Sequence, residues 1–217
     1  GEIAVGSGEN AVTRTEIAGF VNVNQNLTGS GSAAIILNEV TSTHNSQLRG
    51  YAEIAGSKAE LIISNPNGIT CSGCGFINTS KLSFIAGSSA FDANGNLNFN
   101  VKENIGAGVP LITVSGLGLD ASEVSSANIV ASSIKLLSTI YGNEINTVSL
   151  ISGDGNYKYN SGEFAQNQNS GANGAELFAI DATNLGAVQA GRIFIIANKD
   201  GVGVNLGSDI LASREIE

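Results

Sequence analysis

Methionine and tryptophan are absent from the 217 residues, and there are only 2 prolines, 2 cysteines and 1 histidine. Two cysteines cannot build a disulfide framework. One histidine leaves no flanking pattern for a Ser–His–acid triad, and no Gly-x-Ser-x-Gly elbow occurs. Charge is scarce at 13%, and positive charge is scarcer: 10 Lys and Arg against 19 Asp and Glu give a net charge of −9. That balance excludes a nucleic-acid binder, which needs a basic face to neutralise phosphates, and argues against docking on an anionic membrane. Apolar runs such as "AAIIL" and "IFIIA" are too short to span a bilayer as helices. The start "GEIAVGSGEN" shows neither a signal peptide nor an anchor. Runs at helical spacing are few.

What is present is glycine, 28 residues of it, in a chain that is 42% hydrophobic. Short β runs recur between Gly, Asn, Asp and Ser: "AAIILNEV", "AELIIS", "KLSFIAG", "LITVSG", "NIVASSIKLLS", "NTVSLISG", "RIFIIAN" and "VGVNLG". "DANGNLNFNV" reads as a hairpin around an Asn-Gly turn. The expectation is an all-β chain forming one domain over 1–217. An imperfect echo, "DASEVSSANIVASSIKLLS" from Asp120 and "DATNLGAVQAGRIFIIAN" from Asp181, favours a parallel β-helix, with a β-sandwich as the alternative. The polar segment 154–176 interrupts the pattern and reads as an exposed loop or hairpin outside the main stack.

Candidate sites are few. Cys71 and Cys74 form a Cys-x-x-Cys, but no helix pattern follows to lower a thiol pKa, and zinc would want four ligands where only His44 is otherwise on offer. The readings left are free thiols in a structural turn or a small local disulfide. His44 lies in the polar "TSTHNSQ" and reads as solvated. "SGDGN" is a weak calcium candidate. No cofactor or metal is expected, and no enzyme. The strongest local signal is "NPNGI", Asn65 to Ile69. Pro66 presets φ, Asn67 tolerates an unusual φ, and Gly68 supplies a positive one. The amides of Asn65 and Asn67 can satisfy the turn's own backbone. Strand-like runs on both sides make this a rigid corner, with Asn65 expected to be structural and Asn67 nearer the surface.

"NPNGITCSGCGFINTS" closely resembles the signature of two-partner secretion domains, the secretion modules of large Gram-negative exoproteins such as filamentous haemagglutinins, haemolysins and contact-dependent growth inhibition effectors. "ILNEVTSTHNSQLRGYAEIAGSKAELIISNPNGI" and "AGRIFIIANKDGVGVNLGSDILAS" extend the resemblance from about Asn24 to the C-terminus. It implies a right-handed parallel β-helix with extra-helical antiparallel strands. It also implies a partner: an outer-membrane β-barrel transporter whose periplasmic polypeptide-transport-associated domains bind the module. The exoprotein would pass through the periplasm to the cell surface or medium. A second family motif corresponds to Asn24, Asn26 and Leu27, with Gln25 where the family has Pro. Residues 1–20 do not obviously supply the family's N-terminal cap. The Cys-x-x-Cys is more like the haemolysin and growth-inhibition branch. The alternative function is a stand-alone carbohydrate-binding, adhesive or carbohydrate-active β-helix.

Overall fold

The computed structural model describes residues 4–5, 12–22, 32–102, 111–167, 178–182, 186–198 and 202–217. All regular structure among them is β. A small antiparallel sheet comes first, from β1 (Ala4–Val5), β2 (Val12–Arg14) and β3 (Phe20–Asn22). The rest winds into coils. The first coil is β4 (Ile35–Glu39) and β5 (Ser46–Glu53), and the second is β6 (Ala59–Ser64) and β7 (Ile69–Ile77). The third holds β8 (Thr79–Ile85), an excursion of β9 (Ser88–Phe91) and β10 (Leu97–Val101), then β11 (Leu111–Asp120). The fourth is β12 (Ser126–Ala131), β13 (Ser133–Leu136) and β14 (Ile140–Tyr141). The fifth holds β15 (Thr147–Gly153), a second excursion of β16 (Gly155–Lys158) and β17 (Phe164–Gln166), then β18 (Phe178–Ala182) and the start of β19 (Val188–Asn198). The end of β19 with β20 (Gly203–Leu206) and β21 (Ile210–Ile216) makes the last.

Each coil pairs in parallel with the next along three faces. On the first face β4, β6, β8, β12, β15 and the end of β19 are neighbours. The second face runs from the start of β5 through β7, β11, β13 and β18 to β20. The third runs through the later halves of β5, β7 and β11 to β14, the start of β19 and β21. This is a right-handed parallel β-helix, the hand that parallel crossovers take. Alternation along each strand sends one set of side chains inward, where equivalent residues stack. Leu82, Ala127, Val148 and Ile193 form one such column, and Ile69, Ile112, Ile134 and Ile180 another. All eight are buried. Burying each large aliphatic side chain contributes roughly 1.5–3 kcal/mol.

The first face carries an apolar column on its outer side as well, beside a polar one that includes Ser83, Asn128 and Ser149. Ile85, Val130, Ile151 and Ile196 form an outward column. Both excursions leave the solenoid after a first-face strand and join as one antiparallel sheet in the order β17-β16-β10-β9. Phe99, Tyr157 and Tyr159 from that sheet pack with Ile85, Val130 and Ile151 in a second core. Segment 154–176 therefore includes two strands of a packed sheet, and its tyrosines, 1% and 2% exposed, are interior. Its polar residues hide an alternation: Tyr157 and Tyr159 face in while Lys158 faces out. Burial pushes the Tyr157 hydroxyl up to about 12. Tyr159 is raised by burial and by its hydrogen bond to Glu60 Oε2 at 2.5 Å.

The echo from Asp120 and Asp181 does not mark equivalent places along a coil. The first copy passes through β12 on the first face and ends in β13 on the second, whereas the second copy ends in the first-face part of β19. The opening aspartates differ, since Asp120 pairs on the third face and Asp181 on the second. The hairpin at Asn94-Gly95 turns over a longer loop than the dipeptide alone, with the Asp92 carboxylate accepting the Asn94 and Asn96 amides at 2.9 Å each.

Candidate functional site

The "NPNGI" stretch turns the second coil from its first face to its second, between β6 and β7. The Gly68 N–H donates to the Asn65 carbonyl at 3.0 Å, closing a turn with Pro66 at its second position. The positive φ falls on Gly68, at 98°, and not on Asn67. A Cβ at Gly68 would lie 2.6 Å from the Leu111 carbonyl oxygen of the next coil, so the position needs glycine for space as well as φ. Ile69 then enters the core, fully buried.

Asn65 is fully buried, and every polar group on it is used. Its Nδ2 donates to the His44 carbonyl and to Ser46 Oγ, both at 2.9 Å and both in the previous coil. Its Oδ1 accepts the Asn67 N–H at 2.9 Å and Asn67 Nδ2 at 3.0 Å. Its own N–H donates to Ile85 O of the following coil at 3.0 Å. One side chain thus ties the corner to the coil before it while its backbone ties it to the coil after. Asn67 is half-buried and donates from Nδ2 to Ser42 O at 2.7 Å. Pro66 is half-buried beside it. The corner's solvent-reachable part is therefore Pro66-Asn67. It also supports the exit to the extra-helical sheet: Ser64 Oγ donates to Gly87 O at 2.7 Å, one residue before β9.

His44 is exposed, and it is its carbonyl that enters the site. Asn24, Asn26 and Leu27 lie outside the described residues. Cys71 and Cys74 are joined by a disulfide with Cα atoms 5.5 Å apart. Of the two readings of "CSGC", free thiols in a structural turn or a small local disulfide, the structure has the disulfide, and the expectation of a turn is corrected. Both cysteines sit inside β7, which bends from the second face to the third at Gly73, φ 73°. Their side chains point into the main core, 0% and 2% exposed. Among the described residues no group of three or more His, Cys, Asp or Glu is placed to hold a metal.

Two further corners use the same device and carry no Pro-Asn-Gly signal. Asn146 is fully buried, donates from Nδ2 to Ala121 O at 2.9 Å, and accepts the Asn143 N–H at 3.0 Å. Asn78, held at a φ of 58°, donates to Ile54 O at 2.8 Å and Gly56 O at 2.6 Å. Their sequence mark is an Asn at the last position before an apolar β run, in "GNEINTVSL" and "GFINTSKL". On the third face, the Tyr51 ring crosses Gly75, and its hydroxyl donates to Asp120 Oδ2 at 2.7 Å. Burial pushes Asp120 up, but hydrogen bonds from Ser122 and Tyr51 outweigh it, and the net pKa is lowered. Tyr51 and Asp120 line a cleft of about 1000 Å³ whose far wall is β2. That wall is held where the Glu53 carboxylate accepts the Glu16 and Ile17 amides at 2.8–3.0 Å.

A solenoid with an antiparallel sheet on one face and asparagine-stapled corners defines a class of β-helical domain. The chain belongs to the TPS secretion domain family, whose model matches residues 10–217. Toxin CdiA of Yersinia pestis is 38% identical over 208 residues, 93% of this chain. The tRNA nuclease CdiA of Yersinia mollaretii is 34% identical over 197 residues, 91% of this chain. This chain spans 6% of the length of each. A crystal structure of a filamentous hemagglutinin secretion domain superposes with a TM-score of 0.80 at 29% identity, covering 91% of this chain and 65% of that one. The resemblance read from "NPNGITCSGCGFINTS" and the β-helical fold it implied are both borne out.

Proposed function

We propose that this chain is the part of a larger exoprotein that its outer-membrane transporter recognises in the periplasm, so that the whole is exported to the cell surface or medium. The transporter implied is a β-barrel with periplasmic polypeptide-transport-associated domains. The exoprotein is of the growth-inhibition toxin or haemolysin type, and the chain itself performs no catalysis. The observation that carries this reading is the family match along 10–217, with the corner from Asn65 to Ile69 intact inside it. In this reading Asn65 and Gly68 hold the corner, and Pro66 and Asn67 present it. The test is capture of the chain by the purified periplasmic portion of the transporter encoded beside it, with a polysaccharide panel in parallel. Capture by the transporter portion alone supports the reading. Capture only by polysaccharide overturns it in favour of a carbohydrate-binding β-helix.

A further inference from the structure

The outer side of the third face carries two tyrosines that belong to neither core. Its outward column runs through Tyr51, Gly75, Asp120, Tyr141, Gln189 and Leu211. Tyr51 is 54% exposed and Tyr141 44%. Gly75 lacks the Cβ that would collide with the Tyr51 ring, so the ring lies across the second coil and reaches the third. There its hydroxyl donates to Asp120 Oδ2 at 2.7 Å. Tyr141 approaches from the fourth coil, in register with Asp120, with its ring 3.1 Å from where a Gly118 Cβ would stand. One carboxylate thus lies between two exposed rings.

That carboxylate has neutral donors and no cation. Its Oδ1 accepts the Ser122 N–H at 3.0 Å and the Ser122 hydroxyl at 2.6 Å. With the Tyr51 bond, three of its roughly four acceptor positions are filled, and the one left is on Oδ2. Among the described residues none of the ion pairs involves Asp120. The cleft beside it is negative too, with Glu16, Glu53, Asp120 and Glu123 in its walls against Arg14 and Lys58. Elsewhere the protein completes the same arrangement. Tyr159 donates to Glu60 Oε2 at 2.5 Å, while Lys81 Nζ lies 4.2 Å from the Tyr159 ring centre and 3.9 Å from the same Glu60 oxygen. Tyrosine, carboxylate and cation form a closed set there, with the cation held by the ring and by the charge. Tyr51 and Asp120 repeat the tyrosine–carboxylate bond on the surface and lack the third member.

We propose that Tyr51, Asp120 and Tyr141 form a site for an arginine side chain on a basic segment of a different polypeptide, which supplies the cation that Lys81 supplies to Tyr159 and Glu60. Arginine suits the site better than lysine, because a planar guanidinium lies on an aromatic ring and still donates one N–H to Oδ2. The net charge of −9 draws such a segment in from a distance. The site is separate from the Asn65–Ile69 corner and does not rest on what reads that corner.

The test titrates the whole chain, isotope-labelled at its 4 tyrosines, with N-acetyl-arginine amide at low ionic strength and follows the ring resonances by NMR. Tyr157 and Tyr159 are buried and serve as internal references. Tyr51 and Tyr141 are expected to shift saturably, Tyr157 and Tyr159 to stay, and salt to weaken the response. N-acetyl-glutamine amide is expected to shift none of them, and N-acetyl-lysine amide to bind more weakly than the arginine probe. Asp120→Asn keeps an acceptor for Ser122 and Tyr51 and removes the charge. Tyr141→Ser removes one ring and leaves the bonds of Asp120 in place. Each is expected to weaken the arginine probe roughly fivefold, with an unchanged unfolding midpoint. Arginine and glutamine probes that act alike, or two variants that bind arginine like the parent, overturn the site. A lysine probe that binds as tightly overturns the assignment to arginine. Ring shifts that grow with the concentration of this chain alone, without probe, place a second copy on the third face and overturn the different polypeptide.

Discussion

The corner at residues 65–68 and the corner at 142–146 solve one problem with the same parts. Each buries an asparagine completely, Asn65 or Asn146. Each buried amide donates to a carbonyl of the coil before it at 2.9 Å and accepts a backbone N–H of its own turn. Each has a second asparagine reaching the same earlier coil, Asn67 to Ser42 O at 2.7 Å and Asn143 to Ser122 O at 2.5 Å. The corners differ in three respects. Only the first has a proline, only the first places a positive φ against the next coil's backbone, and only the first supports the exit to the extra-helical sheet. The buried asparagine is thus what a β-helix corner requires wherever coils must be tied. It does not by itself mark a recognition site. Under the proposed reading, what the transporter reads at the first corner is what the second corner lacks.

The largest effect is expected at Gly68. Gly68→Ala combines an unfavourable φ with a Cβ 2.6 Å from a backbone oxygen, and should lower stability by about 2–4 kcal/mol. Gly95→Ala shares the positive φ, 79°, but has nothing within 4 Å, and should cost only about 1 kcal/mol. Urea unfolding of the two variants separates strain from collision. Equal losses would mean that Leu111 moves aside.

Next are the buried amides. Asn65→Ala and Asn146→Ala each strand a carbonyl and an N–H, and each should lose about 1–3 kcal/mol in the same unfolding assay. The comparison breaks if only Asn65 matters to stability. It sharpens if the two variants unfold alike while only Asn65→Ala impairs export of a truncated exoprotein.

Alkaline pH offers a handle on the extra-helical sheet that leaves the asparagine corners uncharged. Tyr157 and Tyr159 are both raised above the ordinary value of 10. For groups raised on folding, the stabilisation is present below the unfolded pKa and is lost as pH rises beyond it. Unfolding midpoints should stay level from pH 7 to about 9.5 and fall above about 10. Tyr159→Phe should make that fall shallower, at the cost of the bond to Glu60. A fall of unchanged steepness would place the alkaline sensitivity elsewhere.

The parts legible in the sequence were those with a local cause. The Pro66-Asn67-Gly68 turn and the runs that became β6, β8, β12, β15 and β19 follow from turn chemistry and apolar content. β5 was missed because "SQLRGYAE" lies on the first coil with mostly exposed side chains and has no clean alternation. β7 is hidden in the sequence because Gly73 and Gly75 interrupt its apolar pattern, although it stays paired to its neighbours across the bend at Gly73. Asn146 and Asn78 gave no dipeptide signal, since their partners, at Ala121 and Ile54, are remote in sequence. Tyr157 and Tyr159 were masked by polar neighbours, because the surface they cover is built by strands far along the chain.

The smallest change in stability carries the most direct test. Asn67→Ala and Asn143→Ala each remove a helper amide at a half-buried position, and each should shift stability by about 1 kcal/mol or less. Export through the transporter is measured for both, normalised to the folded fraction. The account expects Asn67→Ala to lose export while Asn143→Ala retains it. Export that falls equally in both, or in neither, would contradict the claim that the transporter reads the Asn65–Ile69 corner.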